Sequence, residues 1–208
     1  MQLTSDSFAN NEPMPDRTGF GIPDAENHMT LGQNLSPHLR WTGVPAEAKS
    51  LVLLCNDPDV PTDTANAGVE GTVIPADMPR RDFCHWIMVD IAAEDGEIAE
   101  GACSTEVTLH GKKNPSGPAG TRQGINDFTT FTAGNPDMEG EYFGWDGACP
   151  PWNDERVHAY DFILFATDLE KCPVEDGFTW SDVEKAIEGH ILAEAKIVGT
   201  YTLNPALR

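Results

Sequence analysis

The chain has 208 residues, a mass of 22.6 kDa and 39% hydrophobic content, enough to bury a core without disulfide or metal staples. Its 34 acidic residues against 13 basic ones give a formal net charge of −21. That field repels polyanions and argues against nucleic acid or an anionic membrane surface as a partner.

Five cysteines, Cys55, Cys84, Cys103, Cys149 and Cys172, form an odd set with no Cys-x-x-Cys pair. The opening MQLTSDSFANNEPMPDR lacks both the apolar run and the early basic residue of a signal peptide. Free thiols in a reducing cytoplasm are therefore expected. No apolar run reaches transmembrane length, and no linker divides the chain, so residues 1–208 are read as a single domain.

In chain order, Leu3–Phe8 alternates like an edge strand, and residues 9–38, rich in Asn, Pro, Gly and Asp, read as loop. Leu39–Trp41 is a short strand candidate. Ser50–Asn56 is the first strong strand, after which the prolines of DPDVP predict departure from the sheet. Residues 62–82 form a long polar excursion, of the kind that covers or serves a site. Phe83–Ile91 is the second strong strand, and alternation puts His85, Ile87, Val89 and Ile91 on one face.

Weak strand signals follow near Ile98 and over Glu106–Leu109, and then a Gly/Pro-rich loop holds Lys112, Lys113 and Arg122. From Tyr142 a loop fixed by Pro150 and Pro151 feeds the apolar strand His158–Thr167. A helix is predicted over 178–195: Ser181 and Glu184 have capping-box spacing, and Val183, Ile187, Ile191 and Ala195 make a stripe that Gly189 interrupts. Lys196–Leu203 closes the chain as a strand. Strong strands, long connections and a late helix predict a mainly antiparallel β fold.

Phosphate-loop, nucleophile-elbow, zincin and dinucleotide-binding motifs are all absent. The remaining chemistry is geometric. Asp57 ends one strong strand and His85 starts the next, so antiparallel pairing brings them to one edge. His158 and Tyr160 share a face of a third strand. Polar groups at strand ends above an apolar floor describe a pocket mouth. Taken singly, each has a structural alternative: an Asx turn for Asp57, a satisfied structural role for either histidine, a core position for Tyr160. Asp154, Glu155 and Arg156 read as solvated loop.

Three separated motifs in register resemble the phosphatidylethanolamine-binding proteins, also called Raf kinase inhibitor proteins, and within them the YbhB/YbcL-like branch. LSPHLRWTGVPAEAKSLVLLCNDPDVP is similar to that family's Ser-Pro-x-Leu-x-Trp stretch and its Asp-Pro-Asp-x-Pro motif. FCHWIMVDI resembles its His-Trp strand, and GWDGACPPWNDERVHAYDFILFATD its Pro-Pro loop and His-x-Tyr-x-Phe strand. GHILAEAKIVGTY resembles the closing segment. Ala148, Ala159 and Phe165 depart from the Pro, Arg and Tyr common there.

The resemblance implies a large antiparallel sheet packed on a smaller one, with one or two C-terminal helices. It implies a small anion pocket formed by Asp57, His85, Tyr142, Pro151, His158 and Tyr160. The ligand expected from it is a phosphate or phosphorylated headgroup, donated to by His85, His158 and Tyr160, with no cofactor, no metal and no catalytic residue. A regulatory protein partner and a homodimer are further expectations from the family. A rival reading is an enzyme, using a hydrolytic or metal site of Asp57, Asp59, Glu155, His85 and His158, or a Cys149 nucleophile with His158 as base.

Overall fold

The computed structural model describes residues 1–208. Its strands are β1 Gln2–Thr4, β2 Glu12–Pro13, β3 Gly21–Asp24, β4 His28–Leu31, β5 Leu39–Thr42, β6 Ser50–Pro61, β7 Arg80–Ala92, β8 Gly96–Ile98, β9 Arg122–Gln123, β10 His158–Thr167 and β11 Ile191–Tyr201. Helix α1 covers Phe128–Phe131, and α2 covers Trp180–Ile187. The large sheet has the order β2-β11-β10-β6-β7-β9, the small one β1-β5-β8, and β3-β4 is a separate hairpin. All pairings are antiparallel except the short β2–β11 contact. The expected mainly β fold, a large sheet packed on a smaller one, is what forms.

Alternation along the central strands explains the layering. Leu51, Leu53 and Cys55 of β6 and Tyr160, Phe162 and Leu164 of β10 pack with Leu3, Leu39 and Trp41 of the small sheet. From the opposite face, Val52, Leu54 and Phe165 pack with Val183 and Ile187 of α2. The central sheet is thus buried on both sides, which is why its strands read as apolar runs.

Five expectations are corrected. The helix stops at Ile187, and Gly189, at φ +79°, turns the chain into β11. A four-residue stripe fits a two-residue period as well as a helical one, so Ile191 and Ala195 belong to a strand. The capping box uses Thr179, whose N–H and hydroxyl donate to Asp182 at 2.9 and 2.8 Å, and not Ser181 with Glu184. The segment 9–38 contains β2, β3 and β4, and Glu106–Leu109 forms no strand. Finally, DPDVP stays in the sheet: β6 continues to Pro61 with a register shift between Asp57 and Val60.

Register shifts also break the expected common face of β7. Cys55 pairs with Trp86 but Asn56 pairs with Cys84, so His85 is the extra residue of a β-bulge. A second shift, where Asp90 adopts φ +62°, returns Ile91 to the small-sheet side while Ile87 and Val89 face α2. A bulge re-aims a side chain: the His85 ring lies 5.1 Å from that of Tyr160, on the small-sheet side of the layer.

The fully buried Phe162 joins the layers, with ring centroids 5.4 Å from Phe8 and 5.7 Å from Trp145. Phe162→Ala is expected to cost about 3–5 kcal/mol of stability, read as a lower urea midpoint at unchanged slope. A loss under about 1 kcal/mol would show that this contact does not hold the layers together.

Candidate ligand pocket

His158 opens β10 beneath the proline loop, and its imidazole is fully buried between two carboxylates. Nδ1 lies 2.7 Å from Asp57 Oδ2 and Nε2 lies 3.1 Å from Asp154 Oδ2. A carboxylate only accepts, so both nitrogens donate and the ring is an imidazolium. Burial by itself would lower its pKa, but the hydrogen bonds to Asp154 and Asp57 overcome it and raise the value to about 9. Burial likewise opposes ionisation of Asp154, yet bonds from His158 and Arg80 hold that carboxyl below its usual range. Arg80 grips Asp154 with both terminal nitrogens.

Asp154 therefore corrects the solvated-loop reading of 154–156: it is completely buried and joins β7, the proline loop and β10. Arg156 also binds, donating to Asp59 at 2.9 Å, while the Ala159 N–H donates to the other Asp59 oxygen at 2.9 Å. Asp57, Asp59 and Asp154 are thus matched by Arg80, Arg156 and His158, and this corner is electrically balanced within a strongly acidic chain. Asp57 is further fixed by the Asp59 N–H at 2.7 Å, the Asx turn its sequence suggested.

His85 is held differently. Its Nδ1 donates to the Asp146 carbonyl at 2.8 Å, which leaves Nε2 without a proton in the neutral ring. The Asp146 N–H returns a bond to the His85 carbonyl at 3.2 Å. Behind this clasp, the Asp146 carboxylate accepts from Lys112, Asn34 and Asn126 at 2.6, 2.8 and 2.9 Å. Burial lowers the His85 pKa, with Asp57 opposing, so the ring is neutral at pH 7. Its Nε2 stands 4.0 Å from Asp57 Oδ2 and has no hydrogen-bond partner. The buried Tyr160 hydroxyl has none either, and burial pushes its pKa far above the usual phenol value.

Both residues line a cavity of about 520 Å³, together with Asp57, Pro151 and His158. Tyr142 is not in the lining: its hydroxyl donates to the Met138 carbonyl at 2.7 Å, and its ring backs Phe128, which does line the cavity. The excursion after β6 supplies Thr64, Ala67 and Gly68 as wall. Asn153 fastens it there, accepting from the Gly68 N–H at 2.9 Å and donating to the Asn66 and Thr72 carbonyls at 2.9 and 3.2 Å. At the rim Trp152 stacks on His28 of β4, with centroids 3.9 Å apart and planes 13° from parallel.

The Cys149–His158 pairing is not supported. His158 already carries both protons and spends them on Asp57 and Asp154, so it has no lone pair with which to activate a thiol or bind a metal. Burial also pushes the Cys149 thiol up to about 12. All five cysteines are unpaired.

A balanced polar floor under an apolar cavity, set in a two-sheet β fold, is the construction of a protein that binds small ligands. The chain belongs to the phosphatidylethanolamine-binding protein family, whose model matches residues 4–202. The UPF0098 protein of Methanothermobacter thermautotrophicus is 35% identical over 170 residues, which cover 82% of this chain and 84% of that one. YbhB of Escherichia coli is 29% identical over 203 residues, 97% of this chain and all of that one. The crystal structure of E. coli YbcL, described as a member of the mammalian PEBP family, is similar with a TM-score of 0.67, 28% identity and 97% coverage of both chains. No helix here is long and apolar enough to cross a membrane.

The His158 charge makes stability depend on pH in a defined sense. Its pKa is raised on folding, so the stabilisation is complete below about pH 6.5, the unfolded value, and is lost as pH rises through about 9. At about 1.4 kcal/mol per pH unit the interval corresponds to on the order of 3 kcal/mol. Urea unfolding of the wild type at pH 6 and pH 9.5, beside His158→Gln, is expected to show this decline in the wild type only. An equal decline in both proteins would assign it to other groups.

Proposed function

We propose that the protein is a non-catalytic binding module whose pocket takes one phosphoryl-type group between His85 Nε2 and the Tyr160 hydroxyl. The observation that carries this reading is that both atoms are buried and lack a partner, on two residues that line the same cavity. An unmet buried polar group costs about 1–3 kcal/mol, and a ligand that satisfies both recovers that cost. His158 acts at one remove, holding Asp57 in place, because its own protons are committed.

The proton inventory sets the form of the ligand. Tyr160 can donate to a P–O⁻ oxygen. His85 Nε2 offers a lone pair at pH 7, so it needs either a P–OH from the ligand or a proton of its own. Binding is thus linked to one proton, and the monoanion is favoured over the dianion, whose formation from a monoester has a pKa of about 6. Local charge balance lets an anion enter a chain of net charge −21. A partner protein would engage the same pocket through a phosphorylated or acidic side chain.

Titration calorimetry with inorganic phosphate is expected to give tighter binding at pH 5.5 than at pH 7.5. Tyr160→Phe should weaken it by about 1.5–3 kcal/mol, one hydrogen bond to a charged group, and His85→Ala should weaken it further. Affinity that rises with pH, or Tyr160→Phe binding as well as the wild type, would remove this pair from the site.

A further inference from the structure

The hairpin β3–β4 supplies Met29 and Leu31 to the cavity wall, and it is fastened unevenly. At its base the Phe20 and Gly21 N–H groups donate to the Ala148 carbonyl at 3.0 and 3.1 Å, and the Gly32 N–H donates to the Phe20 carbonyl at 2.8 Å. At its tip the turn closes only on itself, with Asp24 Oδ1 accepting from the Glu26 and Asn27 N–H groups at 3.0 and 2.7 Å. The polar fastening of the tip to the rest of the chain is His28. Its imidazole lies flat on the Trp152 indole of the proline loop, 3.9 Å away, and its Nε2 stands 3.5 Å from the Glu70 carboxylate of the excursion. Both partners are on fixed ground, because Asn153 clamps the excursion on either side of Glu70 and is the next residue after Trp152.

Both contacts of His28 depend on its charge. An imidazolium over an indole gains the attraction of the ring quadrupole. At 3.5 Å the Glu70 contact is at the limit of a hydrogen bond and takes its strength from opposite charges. Around the ring, the carboxylates are Glu70 from the excursion and Asp24 and Glu26 from its own hairpin, while Asp154 of the proline loop is spent on Arg80 and His158. Gaining a proton therefore tightens the tip. The base, bonded through main-chain groups, does not respond. What the hairpin covers is a thiol: a Cβ added at Gly21 would stand 2.6 Å from Cys149 Sγ. Cys149 lines the cavity and is the one cysteine of the five that is not fully buried, so its reactivity reports whether the hairpin is down.

We propose that the β3–β4 hairpin is a proton-operated latch on the cavity wall: charged His28, gripped between Trp152 and Glu70, holds the tip down, and neutral His28 lets it lift about its base at Phe20–Gly21. The device belongs to the wall and not to the polar floor, so it works whatever the cavity holds. Imidazoles change charge between about pH 5 and 8. One cation–π contact and one exposed ion pair together shift a local opening equilibrium by on the order of tenfold.

Labelling of Cys149 by 4,4′-dithiodipyridine, followed on the full chain by peptide mass spectrometry at pH 5.5 and pH 8, tests it. Proteins are compared at one pH, so the intrinsic reactivity of the thiol cancels. At pH 5.5 Cys149 is expected to label about tenfold faster in His28→Gln than in the wild type. Glu70→Gln, at an 87% exposed side chain, should fall in between, because it keeps the stack and loses the ion pair. At pH 8 the three rates should converge. Equal rates at pH 5.5 would overturn the latch, and so would a His28→Gln excess that persists at pH 8, since the stack would then act without charge. A parallel rise in labelling of the buried Cys55 of β6 would overturn it as well, because the whole fold and not the tip would be loosening.

Discussion

The salt link Asp57–His158–Asp154 is the constraint on which the rest of the pocket depends. Its three members come from β6, from the start of β10 and from the proline loop, and Arg80 extends it to the start of β7. The proline loop and the start of β10 are contiguous, but β6, β7 and that stretch lie far apart in sequence, and the imidazolium and its two carboxylates are where they are tied. Removing a proton from it leaves two buried carboxylates facing each other, and removing either carboxylate leaves a buried cation. A buried pair contributes little net stability when intact but a large penalty when broken. The network therefore specifies geometry more than it adds strength.

His85 is specified by a second, independent device. The β-bulge turns its ring toward the cavity, and the Asp146 carbonyl chooses its tautomer. Asp146 is itself immobilised by Lys112, Asn34 and Asn126. One histidine is thus locked charged and the other locked neutral, with Asp57 within 4.0 Å of both. Environment alone separates their roles, since one has carboxylates on both nitrogens and the other a carbonyl on one and no hydrogen-bond partner on the other.

The strands that are apolar on both faces, Ser50–Asn56, Phe83–Ile91 and His158–Thr167, were legible because burial leaves a compositional mark. The closing helix was misread because residues four apart satisfy both periods, and only the turn at Gly189 decides between them. Asp57, His85, His158 and Tyr160 could be placed together from strand ends and family resemblance. The bulge at His85 could not, because it is a mismatch between two strands and has no signature in either one. Asp154 and Asn153 were missed for a related reason: an acidic-polar loop looks solvated until its partners, Arg80 and the 66–72 backbone, arrive from a distant segment. Pro58 and Pro61 do not end the strand, since β6 absorbs them through a register shift.

The clamp at Asn153 separates the pocket into two parts that can change independently. One amide gathers the excursion between β6 and β7 mainly by its backbone, through Asn66, Gly68 and Thr72, with the Thr72 hydroxyl as an added side-chain contact at 3.1 Å. Because most of these bonds involve main-chain groups, side chains such as Ala65, Ala67 and Val69 are free to vary without loosening the attachment, whereas the Thr72 hydroxyl and the positive-φ Gly68 and Gly71 are part of it. The floor, set by the sheet and its ion network, would keep its chemistry while the tip of the excursion altered the shape of the wall. In evolutionary terms the fold holds a constant head-group reader beneath an exchangeable selectivity segment, so paralogues could diverge in what they hold by substitution within a single short loop.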